Sequence, residues 1–164
     1  MKERPIIFNA PMVRAILEGR KTQTRRIVKQ RGTPGEILWV KETFKFNPGG
    51  PIYDAAGVIM DSMDDELIYR ADSPNLVTKW TPSIHMPRWA SRITLEITGV
   101  RVERLQDISG PDCWAEGIGC AGWDSEKYGS VTHCYRDLWQ SIHGSGAWEK
   151  NPWVWVVEFK RVED

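Results

Sequence analysis

No apolar run in this sequence is long enough to cross a bilayer. The longest, Trp153 to Val157, is five residues, against about twenty for a membrane-spanning helix. The N-terminal Met1-Lys2-Glu3-Arg4-Pro5 lacks the apolar stretch of a secretion signal. Both absences point to a cytoplasmic protein that does not engage a membrane. Net charge is absent too, with 22 Lys and Arg against 22 Asp and Glu, so there is no chain-wide basic footprint for nucleic acid. Cysteine is scarce and odd in number, and Cys113, Cys120 and Cys134 make no disulfide framework. With His133 they could be drawn as a zinc set. Zinc ligands usually come in close pairs such as C-x-x-C, however, and the first spacing here is C-x6-C. Ordinary reduced thiols are the simpler reading, and neither a metal nor a cofactor is assigned. No internal repeat or low-complexity tract interrupts the 164 residues, a length that suits a single domain over 1–164.

The charges that are present are unevenly placed. Residues 1–45 carry eleven Lys and Arg against four Asp and Glu, and residues 76–105 carry five against two. Between them, residues 46–75 have one against six. Two basic blocks flanking an acidic one can form a local positive patch if the fold brings them together.

Pro5 to Phe8 reads as an edge strand. Pro11 suits a first helical turn, and Met12, Val13, Ile16 and Leu17 follow at helical spacing until Gly19 closes the helix. Thr22 to Val28 reads as a strand, and so does Glu36 to Phe44 after a Pro34-Gly35 turn. Residues 46–65, with a Pro-Gly-Gly-Pro run and then acids, suggest an exposed loop or insertion. Glu66 to Arg70 reads as a further strand, and Arg92 to Leu105 as two strands or one bent near Gly99. Ser109 caps a short helix that runs to Glu116 and stops at Gly117; a second runs over about Thr132 to Ile142. Trp153 to Phe159 is apolar on both faces and therefore central. About six strands with about three short helices, not alternating regularly, predict an α+β fold built on a small mixed β-barrel.

The chemistry concentrates in Gly19-Arg20-Lys21-Thr22-Gln23-Thr24-Arg25-Arg26. A glycine turn leads from a helix end into a strand, where Thr24 and Arg26 share one face. Lys21 lies three residues before Thr24, so the two converge only if the turn persists through Lys21 or Thr22. Crowding by Arg20, Arg25 and Arg26 would disfavour the charged form of Lys21 and tune it as a base or nucleophile. Alternatively the arginines hold phosphates through bidentate contacts, or the run is a solvated basic surface.

The stretch Ala15 to Arg26 resembles the signature of ASCH domains, which have a PUA-like β-barrel. The Gly35-Glu36-Ile37-Leu38-Trp39-Val40 strand and the closing Val157-Glu158-Phe159-Lys160 fit as well, and Lys79 to Arg92 looks like a phage and prophage branch of the family. The resemblance implies binding of RNA or a nucleotide in a cleft beside the signature. It also implies a second activity, since small bacterial members are amidohydrolases that deacetylate N4-acetylcytidine with a lysine, a threonine and a later glutamate. The matching residues here are Lys21, Thr24 and, more loosely, Glu116. Arg25 stands where those enzymes have an apolar residue. Other members are described as ribonucleases, for which His85 or His133 would be the acid–base candidates. A phage interaction protein is the remaining alternative.

Of the nine tryptophans, Trp39, Trp153 and Trp155 read as core and Trp139 as the buried side of a helix. Trp80 and Trp89 flank a Pro-rich segment carrying Lys79, His85, Arg88 and Arg92. Interleaved cations and aromatics of this kind could close over a base. The predicted ligand cleft is therefore formed by Arg20, Arg25 and Arg26 on one side and residues 79–92 on the other.

Overall fold

The computed structural model describes residues 2–27, 32–53, 59–63, 66–76, 79–118 and 129–162, with the backbone alone described for 50–53 and 59–63. In chain order the elements are β1 (Glu3–Ile7), α1 (Ala10–Leu17), β2 (Gln23–Arg26), β3 (Ile37–Lys41), β4 (Phe44–Asn47), β5 (Gly50–Tyr53), β6 (Ile59–Met63), β7 (Glu66–Tyr69), β8 (Thr94–Arg104), α2 (Gly110–Ala115), α3 (Val131–His143) and β9 (Trp153–Val162). The α+β class expected from the sequence is the one that forms. Five strands make the main sheet in the order β1-β3-β8-β9-β2, with β1 parallel to β3 and the other pairs antiparallel. The expected small barrel is corrected to an open sheet, because β1 and β2 stay unpaired as its edges. Arg26 bridges the two edge strands through a 2.8 Å hydrogen bond from Nη2 to the Ile7 carbonyl.

β9 is apolar on both faces because both faces are covered. Val154 and Val156 pack with Leu105, Cys113, Tyr135 and Trp139 beneath α2 and α3. Val157 and Phe159 pack with Val13, Ile16, Leu38 and Leu95 beneath α1. β8 is one long strand, and its register against β9 shifts between Ile97 and Gly99. A Cβ at Gly99 would lie 2.6 Å from the end of the Glu158 side chain, which would have to move aside to admit it.

Three expectations are corrected. The strand read from Glu36 to Phe44 is two, β3 and β4, separated by Glu42, which is buried and paired with Arg92. Trp153 is 57% exposed rather than core. It lies outside the cluster that holds Val157 and Phe159, and the Arg104 guanidinium stacks on it at 4.3 Å. Trp155 is only half-buried, as is Trp39, whose ring carries Lys41 and Arg88 instead of core neighbours. The 46–65 stretch carries part of β4 together with β5 and β6. β4 pairs with β7 and β5 with β6, both outside the main sheet.

The helix ends are set by local chemistry. The Asn9 side chain accepts from the Met12 amide at the start of α1. At α2, Ser109 and Asp112 form a reciprocal capping box. Because α2 ends at Glu116, this cap also fixes where that glutamate stands. Ser109→Ala should cost about 1 kcal/mol in urea denaturation; unchanged stability would show that the box does not anchor α2.

Candidate functional site

The junction between α1 and β2 keeps turning through Lys21. Gly19 is left-handed (φ 75°), and the amides of Arg20 and Lys21 both donate to the Ala15 carbonyl at 2.8 and 3.0 Å. The Thr22 amide then donates to Ala115, and β2 begins at Gln23. Lys21 forms an isolated antiparallel bridge with Glu116. Gly117 (φ 86°) makes room for it, since a Cβ there would lie 2.9 Å from the Lys21 Cβ.

Lys21 is buried. Its Nζ donates to the Gln23 carbonyl (2.9 Å), the Glu116 carbonyl (2.8 Å) and Glu116 Oε2 (3.0 Å). Those three acceptors match the three donors of an ammonium. Burial pushes the amine below its ordinary range, Glu116 opposes that shift, and Arg26 and Arg25 add smaller downward contributions. Desolvation rather than crowding by cations is thus the main influence on Lys21.

Glu116 is held from its other side by Arg25, with Nη1 to Oε1 at 3.0 Å. Arg25 also donates to Glu103 (3.0 and 2.5 Å) and lies 3.3 Å from Asp112. Burial disfavours the Arg25 charge, but Glu116 and Glu103 outweigh it and hold the guanidinium above its ordinary pKa. Gln23 binds the Asp112 carbonyl and carboxylate, and Arg101 joins Glu103, Asp112 and Glu158. Two cations of the basic run, Lys21 and Arg25, are therefore neutralised inside the fold. Arg20 pairs with Glu18 and donates to the Gly117 carbonyl. Among the described residues, Arg26 is the cation of this run without a carboxylate at ion-pair distance.

Beside this network lies a cavity of about 200 Å³ between the end of β1, β2 and α3. Thr24, Arg25, Arg26 and Glu116 line it from one set of elements, and Tyr135, Trp139 and His143 from α3. No hydrogen bond among the described residues engages the Thr24 hydroxyl. Of the three candidate catalytic residues, Thr24 and Glu116 face the cavity, and Lys21 stands behind Glu116. The sequence had marked Trp139 as buried but had not marked the α3 residues as site residues. Tyr135, Trp139 and Ile142 recur at helical spacing, a pattern that reads as core and carries no sign of a cavity. His143 stacks on Trp139, with centroids 4.1 Å apart. Burial, then the Arg26 charge, push its pKa below the ordinary 6.5, so the ring is neutral at neutral pH.

Residues 79–92 do not reach this cavity. Arg88 pairs with Glu3 and lies over Trp39, and Arg92 pairs with Glu42 and Asp72 over the Tyr69 ring. Trp89 is exposed and edge-on to Phe46 at 5.7 Å. Lys79 and His85 are exposed, and Trp80 is half-buried. The two basic segments thus occupy separate places, and residues 79–92 line no part of the cavity beside α3. His133 is exposed on α3, and Cys120 lies outside the described residues.

No family model matches the chain, and no curated protein matches it. Two solved structures are similar. One is an ASCH domain from Lactobacillus crispatus JV V101, 12% identical with a TM-score of 0.47, the match covering 98% of this chain and 79% of that one. The other is the hypothetical protein PH0355, 11% identical with a TM-score of 0.50, covering 99% and 100%. The likeness to PH0355 shows a shared fold.

The buried network makes Lys21 a poor residue on which to test function alone. Lys21→Met should lower stability by about 3 kcal/mol, whereas Thr24→Val should cost less than about 1 kcal/mol. Equal stabilities in guanidinium denaturation would contradict the network. An NMR titration of His143 should show a midpoint below 6.5 that rises in Arg26→Gln; an unmoved midpoint would remove Arg26 as a cause.

Proposed function

We propose that the chain binds the base of a nucleotide, a nucleoside or a single RNA residue in the cavity between β2 and α3. One observation carries this reading. Thr24, Arg26 and Glu116 from the signature and its neighbourhood meet the Trp139–His143 stack around a space sized for one heterocycle. The resemblance of residues 15–26 to the ASCH signature, and of 79–92 to its phage and prophage branch, supplies the class of ligand. The site differs from a phosphate cradle, because Lys21 and Arg25 already face carboxylates. Binding should therefore depend only weakly on salt.

A second reading is favoured by Thr24 and Glu116 lining one cavity, with Lys21 paired to Glu116: hydrolysis of an acylated pyrimidine nucleoside such as N4-acetylcytidine. Thr24 Oγ1 would attack the acyl carbon and give up its proton to the neighbouring base. The leaving amine would take a proton, and water would release the acyl group from Thr24. Glu116 faces the cavity and Lys21 lies behind it, so the carboxylate suits the proton transfers near the ligand, with Lys21 setting its position and charge.

Calorimetry with cytidine, uridine and adenosine should detect binding that Arg26→Ala and Thr24→Val both weaken. Unchanged affinity in both variants would refute the site. Turnover of N4-acetylcytidine should vanish in Thr24→Val while the fold remains; full turnover in that variant would eliminate the hydrolase.

A further inference from the structure

A second cavity, of about 400 Å³, lies between the start of α1, the turn from β3 to β4 and the turn after β7. Arg14, Thr43 and Arg70 line it, and no carboxylate does. Printed on the backbone are two bonds that lock these pieces of chain together. Arg14 Nη1 donates to the Ala71 carbonyl at 2.9 Å, and the Arg70 amide donates to the Thr43 carbonyl at 3.0 Å. The acids nearest in sequence are committed elsewhere. Glu42, next to Thr43, and Asp72, two residues after Arg70, both pair with Arg92. Arg14 and Arg70 are therefore left without a carboxylate at ion-pair distance among the described residues. No hydrogen bond among those residues engages the Thr43 hydroxyl or the Arg70 guanidinium. The start of α1 adds little of its own, because Pro11 has no N–H and Asn9 already accepts from the Met12 amide.

We propose that this cavity is an anion site for a small phosphate, either inorganic phosphate or the terminal phosphate of an organic monoester. Guanidinium groups present planar forks that phosphate oxygens accept in pairs. Arg14 uses one N–H on the Ala71 carbonyl, which holds its guanidinium in place and leaves the others for a ligand. The Thr43 hydroxyl supplies a further donor. A recess lined by cations and no acid also concentrates anions from solution. No aromatic side chain lines it, so it offers charge where the cavity beside α3 offers a ring plane. The inference stands apart from the base-binding reading, although Asn9 lines both cavities.

The test is an NMR titration of the intact chain with inorganic phosphate and with phenyl phosphate, ionic strength being held constant with chloride. The guanidinium Nε–H signals of Arg14 and Arg70, assigned by their loss in Arg14→Gln and Arg70→Gln, should shift together and saturate. Each substitution should weaken binding about tenfold or more, as loss of a charge-assisted hydrogen bond does. Arg70→Gln disturbs no side-chain bond among the described residues, so weaker binding in that variant is not a folding defect. Saturation by inorganic phosphate alone identifies the free ion, and equal or tighter binding of phenyl phosphate identifies an ester; either sustains the site. Shifts that never saturate, or affinity unchanged in both variants, would overturn it. So would a single-stranded oligonucleotide that binds through both arginines while neither small phosphate saturates, since that is the behaviour of a surface for nucleic-acid backbone.

Discussion

The Glu116 carboxylate is gripped from two directions, by Lys21 on one oxygen and Arg25 on the other, and all three groups are out of solvent. Removing one partner of such a set leaves a charge that the interior cannot solvate. The arrangement therefore fixes three pieces of chain at once: the turn after α1, strand β2 and the end of α2. Gly117 and the Ser109–Asp112 capping box exist in the same frame, one leaving space for the lysine stem and the other setting the helix that delivers the glutamate. Arg101, Glu103 and Asp112 extend the pairing out to the half-buried rim.

This pairing changes what the basic run does. A sequence with Arg20, Lys21, Arg25 and Arg26 in seven residues suggests phosphate binding, yet Lys21 and Arg25 point inward to carboxylates and Arg20 pairs with Glu18 at the surface. What the network leaves at the cavity is Thr24, one face of Glu116 and the unpaired Arg26, with the aromatic wall of α3 beside them. The resulting site reads hydrogen-bonding edges and a ring plane rather than charge, which suits a base more than a backbone.

Much of this was legible in the sequence where the signal is local. The Ser109 cap, the glycine stops at Gly19 and Gly117, the bend near Gly99 and the two-faced apolar run of β9 each reflect a rule acting over a few residues. The turn persisting through Lys21 was legible as a condition, and Ala15 accepts both amides that make it. The cavity wall was not legible. Tyr135, Trp139 and His143 are more than a hundred residues from the signature, and their spacing is that of any buried helix face. Trp153 misled for a related reason, because its strand pattern is that of a core residue although it lies outside the cluster around Val157 and Phe159.

The most direct measurement is a crystal structure of the chain with cytidine. The base should lie in the cavity between β2 and α3, its ring against the α3 wall and its polar edge toward Glu116 and Thr24. Cytidine held instead on the 79–92 surface, with the cavity empty, would contradict the assignment of this site.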